Sequence, residues 1–243
     1  MNPQKGEILC FNKPYRWTSF DLVDKVRGKL KQRIHQSRLK VGHAGTLDPL
    51  ATGVLIVCTG KATKQIEELQ AHSKEYVATL YLGATTPSFD RETSEDATYP
   101  TQHITRQLIE ETLPRFVGTI MQVPPAYSAV KVDGKRAYDL ARKGRNVELK
   151  AKPLTIDEIE LQECNLDEHK ITIKVVCSKG TYIRALARDI GKALNTGAYL
   201  TDLCRTRIGE YKIEDCLDIH KFDQWLDQQT FTEEEDGQTN NNS

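Results

Sequence analysis

Gly42-His43-Ala44-Gly45-Thr46-Leu47-Asp48-Pro49-Leu50-Ala51-Thr52-Gly53 runs directly into Val54-Leu55-Ile56-Val57-Cys58. Three glycines and a proline bracket one carboxylate, Asp48. Glycine admits positive φ, and proline fixes its own φ and biases the residue before it to extended geometry. A loop so constrained costs folding entropy, which points to a purpose beyond linking two elements. The apolar run after it lacks polar alternation and reads as a buried strand over 54–59. A loop anchored to a buried strand is a good seat for a reactive group.

Outward from that strand, the chain mixes helices with hairpin-like strand pairs. Residues 7–12 read as a short strand leading to Asn12-Lys13-Pro14. Thr18 or Ser19 can cap a helix whose Leu22, Val23, Val26 and Leu30 share one face. Gly60-Lys61-Ala62-Thr63 opens another short helix, and residues 75–82 alternate as a half-buried strand with Tyr76 and Tyr81 on opposite faces. Residues 84–104 are polar and acidic, and a surface excursion is expected there. A helix from Thr105 ends at Pro114. Strands follow near 154–162 and 169–177, then a helix from Thr181 to about Leu194, a strand near 203–208 and a helix near 219–227. The class is α+β.

The chain has 243 residues, 38% hydrophobic and 28% charged, the profile of an ordinary soluble protein. Its longest apolar run is too short to span a bilayer, and charged residues interrupt any signal-peptide pattern at once, so a cytoplasmic location is expected. Six dispersed cysteines form no CxxC pair and the histidines form no HxxH or HxxxH pair, so neither metal nor disulfide is expected. The formal net charge of zero conceals segregation. Residues 1–64 sum to +8, 131–152 to +5 and 179–207 to +4, whereas 65–111, 153–168 and 222–243 each sum to −6. Converging basic segments would make an anion-binding face.

Asp48 has no second acid beside it in sequence, which disfavours paired-carboxylate glycoside hydrolysis. A lone ionised aspartate serves as a nucleophile or a base once a cation orients it. Gly180-Thr181-Tyr182-Ile183-Arg184, at a helix start, can supply that cation: Arg184 suits bidentate recognition of a carboxylate.

The chain resembles the TruB family of tRNA pseudouridine synthases. The matching stretches are Asn12-Lys13-Pro14, Gly42–Gly53, Lys74-Glu75-Tyr76, Val123–Arg142, Gly180–Gly191 and Leu203-Cys204-Arg205-Thr206-Arg207-Ile208-Gly209, in the family's order. The resemblance implies the pseudouridine synthase fold, with a mixed, largely antiparallel central sheet and flanking helices. It implies isomerisation of uridine to pseudouridine in the T-loop of tRNA, at uridine-55, without cofactor or metal. It makes Asp48 the essential carboxylate and Arg184 its partner. Tyr76 would stack on the target base and assist proton removal at C5. His43 would assist base extrusion, Tyr182 and Leu203 would line the pocket, and Lys13 and Pro14 would support the catalytic loop.

The same resemblance sets residues 1–229 as a catalytic domain and 131–152 as a basic projection that closes on the T-arm, while the Glu/Asp and Asn repeats mark 230–243 as an acidic, disordered tail. Cys204 stands where the family often has a second basic residue. Longer bacterial members carry a C-terminal RNA-binding domain of the PUA type, for which the roughly thirty residues after Gly209 leave no room, so weaker tRNA affinity is expected. The tRNA T-arm is the expected partner, with no protein partner implied. Two other readings use the same basic face: a non-catalytic RNA-folding factor, and an RNA N-glycosidase that releases free uracil, for which no water-activating second acid is visible.

Overall fold

The computed structural model describes residues 1–128, 131–132, 135–137 and 149–232. Strand β1 (Ile8–Lys13) leads into helix α1 (Ser19–Arg33), whose N-terminus carries a reciprocal capping box between Thr18 and Asp21. Then come β2 (Val41–Ala44), β3 (Ala51–Thr59), a 3₁₀ turn over Gly60–Gln65, α2 (Ile66–Ala71) and β4 (Lys74–Leu82). A small hairpin pairs β5 (Ala84–Thr85) with β6 (Ala97–Thr98), and α3 (Arg106–Thr112) precedes β7 (Gly118–Gln122). A second hairpin, β8 (Lys131–Val132) with β9 (Lys135–Arg136), is followed by the long pair β10 (Lys152–Asn165) and β11 (Lys170–Cys177). Helix α4 (Ile183–Ala193), β12 (Ala198–Ile208), β13 (Tyr211–Lys212), β14 (Leu217–Asp218) and α5 (Phe222–Asp227) complete the order.

The central sheet runs β14-β1-β3-β12-β4-β11-β10-β7, with β2 added to β3 and β13 to β12. Among the described residues, only β1–β14 and β3–β12 are parallel pairs. β3 is buried on both sides: Leu55 and Val57 pack with Leu22, Val26 and Leu30 of α1, while Val54, Ile56 and Cys58 join Ala62, Leu69 and Ile208. The apolar run without alternation is explained by this double burial. A larger core lies where Leu186 and Ile190 of α4 meet Ala78 and Leu80 of β4 and Ile171, Ile173 and Val175 of β11.

The structure corrects several boundaries. The strand expected from residue 54 begins at Ala51, and Gly42–Ala44 belongs to β2, so the loop proper is 45–50. Gly53 has a positive φ yet lies within β3, where a Cβ would come 2.2 Å from the Arg205 carbonyl oxygen: the glycine serves the close approach of β3 and β12. The α3 helix stops at Thr112, and Pro114 sits inside a following 3₁₀ turn. The expected surface excursion is pinned inward, with Thr86, Ser88 and Asp90 buried and the Phe89 carbonyl accepting from Leu200 N–H. The cysteines are dispersed in sequence only, since Cys10 and Cys216 meet with their Sγ atoms 3.0 Å apart. Thr230–Thr232, assigned to a disordered tail, pack on the N-terminus, where Thr232 N–H donates to the Met1 carbonyl and Phe231 lies beneath Arg33. Most of the basic projection expected over 131–152 and the rest of the tail lie outside the described residues.

Candidate active site

β12 lies between β3 and β4, and its register assembles the site. Leu203 is opposite Ala51 of β3 and Ala78 of β4, and Arg205 is opposite Gly53 and Tyr76. The 45–50 loop that enters β3 and the N-terminus of α4 close over this point. The result is a cleft of about 380 Å³ whose lining includes Asp48, Tyr76, Tyr182, Arg184, Leu203 and Arg205.

Asp48 projects from the loop into solvent reach, with its side chain 41% exposed, and accepts from Arg184 Nε at 2.8 Å. Arg184 is buried. Its Nη1 donates to the Ser88 carbonyl at 3.2 Å and its Nη2 to the Tyr127 carbonyl at 2.8 Å. Asp90 Oδ2 stands 3.7 Å from the same Nε. Burial pushes the Asp90 carboxyl above the usual range, against the pull of Ser88, the Glu92 amide and Arg184. One fixed guanidinium therefore faces two carboxylates, of which Asp48 is the one open to the cleft.

The α4 N-terminus is held by a neighbouring strand. Gln122 of β7 accepts from Tyr182 N–H at 2.9 Å and donates to the Tyr182 carbonyl at 3.2 Å, a two-point clamp at the residue before the helix. This places Tyr182 at the rim and Arg184 in the first turn. Burial raises the Tyr182 hydroxyl pKa. Tyr76 is buried on β4, and burial keeps its phenol protonated, with Arg205 pulling the other way.

The loop is braced from below. Ser19 Oγ accepts from Leu47 N–H at 2.9 Å and donates to the Leu47 carbonyl at 3.1 Å. Lys13 is fully buried, and its Nζ donates to the carbonyls of Pro14 at 2.9 Å, Trp17 at 2.5 Å and Pro49 at 3.4 Å. Burial brings its ammonium down to about 8. Arg205 is also buried, with Nε on the Val54 carbonyl at 2.8 Å and Nη2 on the Gly45 carbonyl at 2.9 Å.

Of the residues singled out from sequence, Asp48, Tyr76, Tyr182, Arg184 and Leu203 come together in the cleft lining, whereas His43, Lys13 and Pro14 do not line it. His43 sits on β2 opposite Val57, with Nδ1 buried and unpartnered. Burial and the nearby Arg205 hold its imidazole below the usual histidine range. Sequence reasoning missed Asp90, Ser88 and Gln122 altogether, and named Ser19 only as a possible helix cap. It quoted Lys74 and Arg205 only as parts of matching stretches. Lys74 lines the cleft, donates to the Gln70 and His72 carbonyls, and is lowered by burial to about 8.

Comparison with known proteins agrees with this assembly. Residues 29–183 match the profile described as "TruB family pseudouridylate synthase (N terminal domain)", and residues 184–238 match "tRNA pseudouridylate synthase B C-terminal domain". The boundary falls inside α4, so the second match contributes β12 to the middle of the same sheet. The tRNA pseudouridine synthase B of Phocaeicola vulgatus is 67% identical over 96% of this chain and 98% of its own. That of Flavobacterium johnsoniae is 50% identical over 93% of this chain and 100% of its own. Among solved structures, a chain of a Cbf5-Nop10-Gar1 complex superposes with TM-score 0.67 at 29% identity, over 93% of this chain. A chain of an H/ACA RNP bound to a substrate RNA containing 2'-deoxyuridine superposes with TM-score 0.63 at 27% identity, over 92%. This chain spans 55% and 53% of those two chains. By sequence over nearly its whole length and by fold, the chain belongs to the TruB family of pseudouridylate synthases.

Proposed function

We propose that the chain isomerises uridine to pseudouridine at position 55 in the T-loop of tRNA, with Asp48 as the essential carboxylate. As a tRNA pseudouridine synthase of this family it is an isomerase. The N1–C1′ bond breaks, the uracil turns, and a C5–C1′ bond forms. The C5 proton leaves and N1 takes one, so atoms balance without a cofactor. One observation carries the reading: an exposed carboxylate is held at 2.8 Å by a buried arginine inside a cleft that also offers an aromatic ring and an apolar wall.

A target base inside a folded loop must be flipped out at a cost of a few kcal/mol. The cleft volume of about 380 Å³ falls in the range of small-molecule sites, roughly 300–1,000 Å³, and leaves room for one extruded nucleotide. Tyr76 offers the ring on which the uracil stacks, Leu203 and Tyr182 the walls, and Arg184 holds Asp48 in position. Lys13, with Pro14, holds the loop through the Pro49 carbonyl. His43 on the strand before the loop assists extrusion as a neutral imidazole. The chain's basic segments recover the cost of flipping through phosphate contacts.

The test is tritium release from 5-labelled uridine in a T-arm hairpin. Asp48→Asn should abolish release while retaining RNA binding. Turnover at the wild-type rate by that variant would overturn the assignment, and release from a site other than the T-loop uridine would overturn the position.

A further inference from the structure

Tyr15, Arg16 and Phe20 lie in the turn after β1 and the first turn of α1, and none of them serves the core. Tyr15 is 44% and Phe20 63% exposed, so both rings forgo burial. Arg16 adopts φ 67°, in the left-handed region that a residue with a Cβ avoids. Its guanidinium lies over the Tyr15 ring, 5.6 Å from the centroid. Among the described residues no carboxylate forms an ion pair with it. A strained backbone that presents a cation with no carboxylate partner and two exposed rings points to a use outside the fold.

The backbone segment that carries these side chains is tied to both neighbours of Asp48. Arg16 N–H donates to the Pro49 carbonyl at 2.8 Å, and Lys13 Nζ reaches the same oxygen at 3.4 Å. Ser19, next to Phe20, holds Leu47 by two hydrogen bonds. The turn and the catalytic loop therefore form one rigid piece.

We propose that Tyr15, Arg16 and Phe20 form a second RNA contact, a platform for the nucleotides next to the one that enters the Asp48 cleft. This rests on the pseudouridylation reading above. Extruding a base strips its neighbours of a stacking partner. Aromatic rings restore stacking regardless of base identity, and an arginine beside them adds a phosphate contact and a cation–π contribution. Residues 1–64 carry +8, so the segment attracts a polyanion rather than repelling it.

The experiment measures the dissociation constant of a T-arm hairpin by fluorescence anisotropy on the Asp48→Asn background, so that no turnover intervenes. Tyr15→Ala with Phe20→Ala should weaken binding by at least about tenfold. Arg16→Gly should weaken it about threefold and flatten the logarithmic salt dependence by about one. Its Tm should hold or rise by about 2 °C, because glycine takes a positive φ without strain. A merely structural role for Arg16 would move affinity and Tm in the same direction. The platform is overturned if all these variants bind within twofold of their parent. It is equally overturned if the parent is a dimer that the double variant dissociates, for the rings would then be a self-association surface. If the parent prefers the T-arm no more than an unrelated hairpin, the function reading falls and takes the platform with it.

Discussion

Arg184→Lys keeps the charge and removes the geometry, and its cost can be worked from the contacts. Arginine reaches three acceptors at once: Asp48 at 2.8 Å, the Tyr127 carbonyl at 2.8 Å and the Ser88 carbonyl at 3.2 Å. A lysine has one nitrogen on a flexible stem and cannot span that array. If its ammonium settles on the carbonyls, Asp48 loses a charge-assisted hydrogen bond of about 1.5–3 kcal/mol, a factor of roughly 10 to 150 in rate. If it follows Asp48 instead, two carbonyls that Arg184 satisfied lose their donor, at about 1–3 kcal/mol of stability each. The loss therefore falls on the rate or on the fold. Single-turnover tritium release with enzyme in excess reads the first, and urea unfolding reads the second. A variant within threefold in rate and within about 0.5 kcal/mol in stability would refute the claim that this guanidinium fixes the carboxylate.

Gly53→Ala should destabilise by at least about 3 kcal/mol in urea unfolding, since the new Cβ meets the Arg205 backbone at 2.2 Å and the φ of 104° disfavours alanine. Ser19→Ala leaves the Leu47 N–H and carbonyl without their side-chain partner in a buried site. It should cost about 2 kcal/mol and speed hydrogen exchange at the Leu47 amide. Lys74, lowered by burial to about 8 from 10.5, binds its proton less well folded than unfolded. The unfolded state thus holds more protons between those values, so this lysine's contribution to stability rises from pH 8 to 10.5 and is lost as pH falls through 8. The stability difference between wild type and Lys74→Met should shift in favour of wild type over that window, and a flat difference would count against the assigned burial.

What could be read from the chain follows the kind of force at each place. β3 announced itself because two different cores need its two faces, which leaves no polar residue in Val54–Cys58. α1 was legible from Thr18 and one apolar stripe, all of it local. The start of β3 was hidden because Gly53 looks like a turn residue, while its actual task, close packing on β12, depends on a strand about 150 residues away. Asp90 and Ser88 were hidden for another reason. They are buried through hydrogen bonds, Thr86 and Ser88 donating to the Asp90 carbonyl and Arg184 to that of Ser88, and this leaves no hydrophobic period to detect. Asp48, Tyr76 and Arg184 were visible as motif positions, but their meeting is a product of strand order, with β12 placed between β3 and β4.

Charge placement gives the strongest internal argument for a polyanionic substrate. Lys13, Lys74, Arg184 and Arg205 are all buried in or under the cleft, and among the described residues only Arg184 of the four forms ion pairs, with Asp48 and Asp90. Burial above all, with a smaller push from Arg205, lowers the pKa of Lys13, Lys74 and His43, so Arg205 disfavours charge on each of them in the free protein. A fold under no other demand would neutralise such a cluster or replace it with apolar packing. The chain had acids to spare for that purpose, and it placed them elsewhere. The run over 153–168 lies mainly on β10, where Glu158 and Glu160 pair with Lys174 in solvent. Cations that burial penalises and acids that water already satisfies cannot both be explained by stability. They are explained together if the cleft's missing negative charge arrives with the substrate, because a polyanion that binds only the folded state returns the stability the free enzyme forgoes.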